Sequence, residues 1–252
     1  MELSASVFLL VCPLVFLAGL VDAIGGGGGL ISLPAYIAAG LPVHQAVATN
    51  KLSSCCGTAL ATARFAKNKL IDWKLALPAV ITAMAGSALG ASLSMRVPEK
   101  VMIYILYAVL PIAAFIVLNK HLFHDNPKEE TGDYRKIMVL AAVISFVIGI
   151  YDGFYGPGTG TFLIIALTVF ARMPILKANG LTKAVNLTTN ITALVVFLLH
   201  GQVLIPLGIV AAVCNMAGGY LGAGLAMKKG VAVVKPVMIV VIVLLMIKII
   251  LD

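Results

Sequence analysis

The chain states one chemical pattern twice. Asp22-Ala-Ile-Gly-Gly-Gly-Gly-Gly29 closes an apolar run with an acid and a glycine cluster, and Asp152-Gly-Phe-Tyr-Gly-Pro-Gly-Thr-Gly160 does the same 130 residues later. Two further echoes share an offset of 132 residues: Ala48-Thr-Asn-Lys51 with Gly180-Leu-Thr-Lys183, and Ala85-Gly-Ser-Ala-Leu-Gly-Ala91 with Ala217-Gly-Gly-Tyr-Leu-Gly-Ala223. The change of offset marks a two-residue insertion between the first echo and the second. A chain built from two copies of one unit folds as two related halves.

Composition then decides the solvent. The hydrophobic fraction is 61% and only 11% of residues are charged, whereas soluble domains are about half apolar and a quarter charged. Apolar stretches recur along the chain with charges confined to the joints, so the chain reads as a multi-pass protein of the cell membrane. A net charge of +8 calls for no nucleic acid here, because Lys and Arg fall where the positive-inside bias wants them. Cys12, Cys55, Cys56 and Cys214 lie in apolar segments without CxxC spacing, and read as packing residues rather than a disulfide or metal framework. The first 22 residues look like a signal peptide, yet they carry Glu2 and no Lys or Arg. They also echo the start of the second copy, so they are expected to be a mature helix.

A spanning helix needs about 20 apolar residues. Full-length candidates are 3–23, 43–66, 73–95, 99–119, 136–152, 175–199, 203–227 and 232–251. Two shorter apolar pieces, 29–41 and 159–172, follow the glycine clusters directly and are either short tilted spans or re-entrant segments. If they cross, four joints holding 13 of the 18 basic residues share the cytoplasmic side, which favours ten segments over eight. Five segments per copy invert the second copy relative to the first, a plan found in many secondary transporters. The expected fold is therefore an all-α polytopic helical bundle of two inverted repeats with glycine-broken helices. The first repeat covers 1–119, a cytoplasmic linker 120–135, and the second repeat 136–252. The linker's His121 and His124 read as solvated residues rather than metal ligands.

Irregular backbone at membrane depth survives only where protein or water satisfies it. The clusters Gly25 to Gly29 and Gly156 to Gly160, with Gly26, Gly27, Gly28, Gly158, Thr159 and Gly160 at their centres, are expected to line a cavity. Each helix start there offers unpaired N–H groups and a positive dipole end, a setting for an anion; close backbone packing is the competing reading. Lys51 and Lys183 each lie about 12 Å into a helix, too deep for an interfacial Lys that snorkels, and intramembrane cations usually face functional cavities. Lys51, Ser54 and Thr58 share one helix face, as do Lys183, Asn186 and Asn190. With Asn50, Thr49 and Thr182 beside them, two polar helices offer a pocket for a small anion; interhelical hydrogen bonding is the plainer alternative. Asp22 and Asp152 are candidates to carry a coupling proton or to pair with a Lys, or else simple helix-end caps. Gly86-x-x-x-Gly90 and Gly218-x-x-x-Gly222 read as close-packing motifs.

At these residues the chain resembles the TauE/SafE family of membrane permeases. The resemblance runs nearly the whole length. It is carried by Gly25–Gly29, by Leu41-Pro-Val-His-Gln-Ala-Val-Ala-Thr-Asn-Lys51, by Asp72-Trp73, and by Gly86 and Gly90. In the second half it is carried by Gly156–Gly160, Lys177-Ala-Asn-Gly-Leu-Thr-Lys183, Gly218 and Gly222. The second copy departs from the pattern: Pro157 and Thr159 interrupt the glycines, and Leu204-Ile205 replaces Asp-Trp. The resemblance implies export of sulfite, sulfonates or related anions; the residues alone reach only a small anion. The expected partners are that anion, the bilayer and a coupling proton or cation, with no cofactor and no metal. Three rivals stay open: an anion channel, an intramembrane enzyme, and a membrane subunit that only docks partners. No HExxH or GxSxG motif is present, which argues against the enzyme.

Overall fold

A computed structural model describes residues 4–98, 100, 101, 104, 133–230, 232–234, 236, 237, 239, 240 and 243. These residues form eight helices and no strand: α1 (Ala5–Gly25), α2 (Gly29–Ala38), α3 (Val43–Lys67), α4 (Trp73–Ser94), α5 (Tyr134–Phe154), α6 (Thr159–Val169), α7 (Ile175–Leu199) and α8 (Ile205–Lys229). The expected segment 99–119, the linker with His121 and His124, and the segment 232–251 lie wholly or mostly outside the described residues.

Most expected boundaries hold to within two or three residues. The first helix runs on through Gly25, because Gly26 N–H still bonds Asp22 O at 2.8 Å before Gly26 turns left-handed at φ 81°. Asp22 therefore lies in the last turn of α1, and Asp152 lies likewise inside α5; neither is a terminal cap. Pro42 and Pro174 precede α3 and α7, where a fixed φ favours helix entry. Asp72 caps α4 by accepting from Lys74 N–H at 3.0 Å and Leu75 N–H at 3.4 Å. At the matching start of α8, Leu204 has no carboxylate; instead its N–H donates to Thr49 Oγ1 at 3.0 Å. The first half thus gives α8 an acceptor for the N–H of its N-cap residue, not for the first-turn N–H groups that Asp72 caps in α4.

Five of the helices, α1, α4, α5, α7 and α8, are long and apolar enough to cross a membrane. α3 has 25 residues but is too polar to qualify on composition, since Thr49, Asn50, Lys51, Ser53 and Thr58 are all buried in it. It can cross only because other helices shield it. The outer surface is the reverse, with Leu77, Ile81, Leu89 and Leu93 of α4 and Ile209 and Val213 of α8 exposed. A polar interior under an apolar shell is what a bilayer demands.

Packing joins each half to the other. α1 lies against α8 and α4 against α5. The small-residue motifs make these approaches possible: a Cβ on Gly218 would collide with Phe16 O, and one on Gly90 with Ile150 O. The contacts also fix direction. Gly218 meets Phe16 and Leu20 while Gly222 meets Leu20 and Ala23, so α1 and α8 run the same way. Thr49 meets Leu204, Leu52 meets Gly208 and Gly57 meets Gly219, so α3 runs that way too. With α1 and α3 parallel, α2 and residues 39–42 must carry the chain back between them. Across the halves α4 and α5 also run together, Ala83 on Gly149 and Ser87 on Gly153. Leu70, just before α4, meets Gly180, and Ser87 meets Thr189, so α7 shares that direction and α6 is the return. Thr62 near the end of α3 bonds Lys183 O near the start of α7, so these two equivalent helices run oppositely.

Candidate functional site

Both helix breaks meet at one place. Gly26 and Gly160 touch backbone to backbone, with no room for a Cβ on either. Thr161 N–H donates to Gly26 O at 3.0 Å and Thr161 Oγ1 to Gly25 O at 2.7 Å. Asn179 Nδ2 donates to Ile24 O at 2.9 Å, and Tyr151 hydroxyl to Pro157 O at 2.7 Å. Thr161 and Asn179 of the second half thus satisfy carbonyls freed by the break in the first, while Tyr151 satisfies one at the break in its own half, as buried backbone requires. Close packing holds at Gly26, Gly28 and Gly160, and of the two clusters only Gly26, Gly29, Gly156, Gly158 and Gly160 line a cavity.

Beside this contact lies a cavity of about 30 Å³, room for about two water molecules. Asp22, Gly26, Gly29, Asn50, Lys51, Ser54 and Thr58 line it from the first half. The second half contributes Asp152, Tyr155, Gly156, Gly158, Thr159, Gly160, Asn186 and Asn190. Twelve of the seventeen sequence candidates are therefore brought together here. Thr49, Thr182, Lys183, Gly27 and Gly28 are not on the cavity wall. Thr49 supplies the acceptor for α8, and Thr182 is buried without a partner for its hydroxyl. Gly28 is the N-cap of α2 and lies so close to Ala18 O and Asp22 that a side chain would not fit. Gly29, Tyr155 and Gly156 line the wall without having been singled out as individual site residues. Gly156 had a readable cue as the first residue of the second glycine cluster, and the structure shows why it is glycine: its φ is 90° and a Cβ there would crowd Asp152 Oδ1.

The two lysines do not stand as free cations. Lys51 Nζ pairs with Asp152 Oδ1 at 3.0 Å, and Lys183 Nζ pairs with Asp22 Oδ2 at 3.3 Å. Each bridge crosses from one half to the other. The equivalence ends with their surroundings. Lys51 and Asp152 both face the cavity, their side chains 3% and 6% exposed. Lys183 is 0% exposed and also donates to Asp22 O, the carbonyl that ends α1. Asp22, 23% exposed, reaches the cavity with its Lys sealed behind it. Asp152 Oδ2 and Asn186 Oδ1 are buried with no hydrogen-bond partner, and such groups in a native interior usually have a functional reason.

A polar, ion-paired cavity inside an apolar helical shell, lined by two helix breaks, defines a multi-pass integral membrane protein built around a buried hydrophilic site. The family model described as sulfite exporter TauE/SafE matches residues 11–249. The chain belongs to the TauE/SafE family of membrane transporters. Among similar proteins, "Probable membrane transporter protein ORF9" of Sinorhizobium sp. is 34% identical over 94% of this chain and 90% of its own length. "Probable membrane transporter protein YfcA" of Escherichia coli K12 is 32% identical over 94% and 87%. A "Probable membrane transporter protein" of Haemophilus influenzae is 28% identical over 100% and 98%. No solved structure gives a significant match.

Proposed function

We propose that this chain is a secondary transporter of a small anion, with sulfite or an organic sulfonate the first candidates, working by alternating access between two inverted five-segment repeats. The observation that carries the reading is the pair of crossed Lys–Asp bridges in a polar cavity where both broken helices meet. Ion pairs there join the two halves, so a ligand that competes for them also loosens one half from the other. The opposed directions of α3 and α7, and the return of the chain through α2 and α6, support the inverted arrangement. The anion would be held by Lys51, by Asn50, Ser54, Thr58, Asn186 and Asn190, and by the helix starts at Gly26 and Gly158–Gly160. Room for only about two waters means that an anion enters by moving helices apart. Asp22 and Asp152 are the candidates for proton or cation coupling. Export is the direction named in the family description.

Counterflow of labelled sulfite and labelled methanesulfonate in proteoliposomes tests the reading. Wild type should accumulate label against unlabelled anion inside. Lys51→Ala should lose counterflow by at least tenfold, about 1.4 kcal/mol of lost interaction. Conductance without counterflow would make the protein a channel, and no movement of either anion would remove the sulfur-anion assignment.

A further inference from the structure

The site carries no net charge: Lys51 and Lys183 are matched by Asp152 and Asp22. A buried anion added to a neutral site leaves an uncompensated charge, which carries a large desolvation penalty. Some cation must enter with it. We propose that the cation is a proton taken up by Asp152 at Oδ2, so that anion binding at Lys51 and protonation of Asp152 are one coupled event, while Lys183–Asp22 is a fixed structural tie. This inference rests on the anion-transport reading above.

Four observations separate the two pairs. Lys51 and Asp152 are both on the cavity wall, so an anion can reach Lys51 Nζ and compete with Asp152 for it. Asp152 holds Lys51 through Oδ1 alone, and its Oδ2 is buried without a partner. Behind the pair lies bare backbone: a Cβ on Gly156 would sit 2.7 Å from Asp152 Oδ1 and 3.1 Å from Lys51 Nζ. Lys183, in contrast, is fully buried off the wall and holds both the carboxylate and the carbonyl of Asp22. Its release would undo the end of α1 as well as the ion pair.

Once Lys51 turns to an anion, Asp152 keeps no ion-pair partner among the described residues. Among the described residues, the other titratable groups beside it are Cys55 from α3, Tyr151 from its own helix, Tyr155 just past that helix, and Asp22 across the cavity. None of these supplies a positive charge, and the α6 and α7 residues on the wall, Thr159, Asn186 and Asn190, are neutral. A carboxylate left in that setting is driven to its neutral form. The proton makes Oδ2 a donor, and the nearby anion offers acceptors. For a monoanion the loaded site is neutral again, which lets it cross the membrane as the empty one does.

Two experiments on the full-length protein test this. In proteoliposomes, an imposed proton gradient should accelerate methanesulfonate flux at least tenfold in wild type and leave it unaccelerated in Asp152→Asn. Methanesulfonate stays a monoanion throughout, so the ratio reads the protein. Equal acceleration in Asp152→Asn, or its loss in Asp22→Asn instead, would overturn the assignment. The second experiment needs no transported anion. Infrared spectra of purified Lys51→Met should show a protonated-carboxyl band that is absent from wild type and from the Lys51→Met/Asp152→Asn double variant. A Lys51→Met spectrum with carboxylate only would refute the proposal. If neither sulfite nor methanesulfonate moves in wild type, the functional reading fails while the infrared result still decides the role of Asp152.

Discussion

Lys51 and Lys183 occupy matching places in two copies of one unit, and each meets the acid of the opposite copy, yet they do different work. One pair faces the cavity, where we propose that a ligand opens it. The other is sealed behind Asp22 and knits the broken end of α1 to α7. The sequence echoes place two similar charges, and packing leaves one on the cavity wall and seals the other off it. The contrast sharpens against the small-residue motifs, where Gly86 and Gly90 seat α4 on α5 much as Gly218 and Gly222 seat α8 on α1. The scaffold kept its symmetry while the site lost it.

That contrast can be broken by mutation. The largest effect should come from Lys183→Ala. Removing one partner of a buried pair typically costs about 3–5 kcal/mol, and here Asp22 O also loses one of its two donors, keeping only Gly26 N–H, so the yield of folded protein should collapse. Lys51→Ala should be milder, because Asp152 can take a proton beside the cavity. A denaturation series in detergent that ranks Lys51→Ala as the more damaging would reverse the roles of the two pairs. Next come Gly90→Ala and Gly222→Ala. Overpacking a close helix contact costs about 1–3 kcal/mol, and the two variants should agree within experimental error. Unequal losses would show that the scaffold is asymmetric too. The smallest effect belongs to Thr49→Val, which removes the acceptor for Leu204 N–H at the start of α8 and should cost about 1 kcal/mol. Anion counterflow should survive it; lost counterflow with intact folding would return Thr49 to the binding site.

Direction offers a test of another kind. With α1, α3 and α8 parallel and α4, α5 and α7 opposed to α3, single-cysteine labelling should place Lys67 and Lys228 on one side of the membrane and Gly40 and Gly201 on the other. Lys67 and Lys228 on opposite sides would exclude the ten-segment arrangement.

Much of this was legible from residue order. The glycine clusters announced the helix breaks because each glycine weakens a helix by about 1 kcal/mol relative to Ala and five fall together in the first cluster. The depth of Lys51 and Lys183 announced buried cations, and the acids ahead of each glycine cluster were candidates to pair with a Lys, beside proton coupling and helix capping. Periodicity on one helix could not reveal that the bridges cross between halves, since that depends on α1 meeting α7 and α5 meeting α3 in space. Nor could it separate Lys183 from Lys51: the spacings to Asn186 and Ser54 are alike, and only the burial of Nζ against Asp22 O distinguishes them. Hydropathy misjudges α3 for a related reason. It scores each helix as if lipid surrounded it, whereas the polar face of α3 is turned to α7 and α8.

The central claim is that the anion is held at Lys51 and not at Lys183. Its most direct test is counterflow of labelled sulfite, measured per folded molecule, in Lys51→Ala beside Lys183→Ala. The account predicts that Lys51→Ala is folded and silent, while the folded remnant of Lys183→Ala still exchanges anion. A folded, silent Lys183→Ala beside an active Lys51→Ala would contradict it.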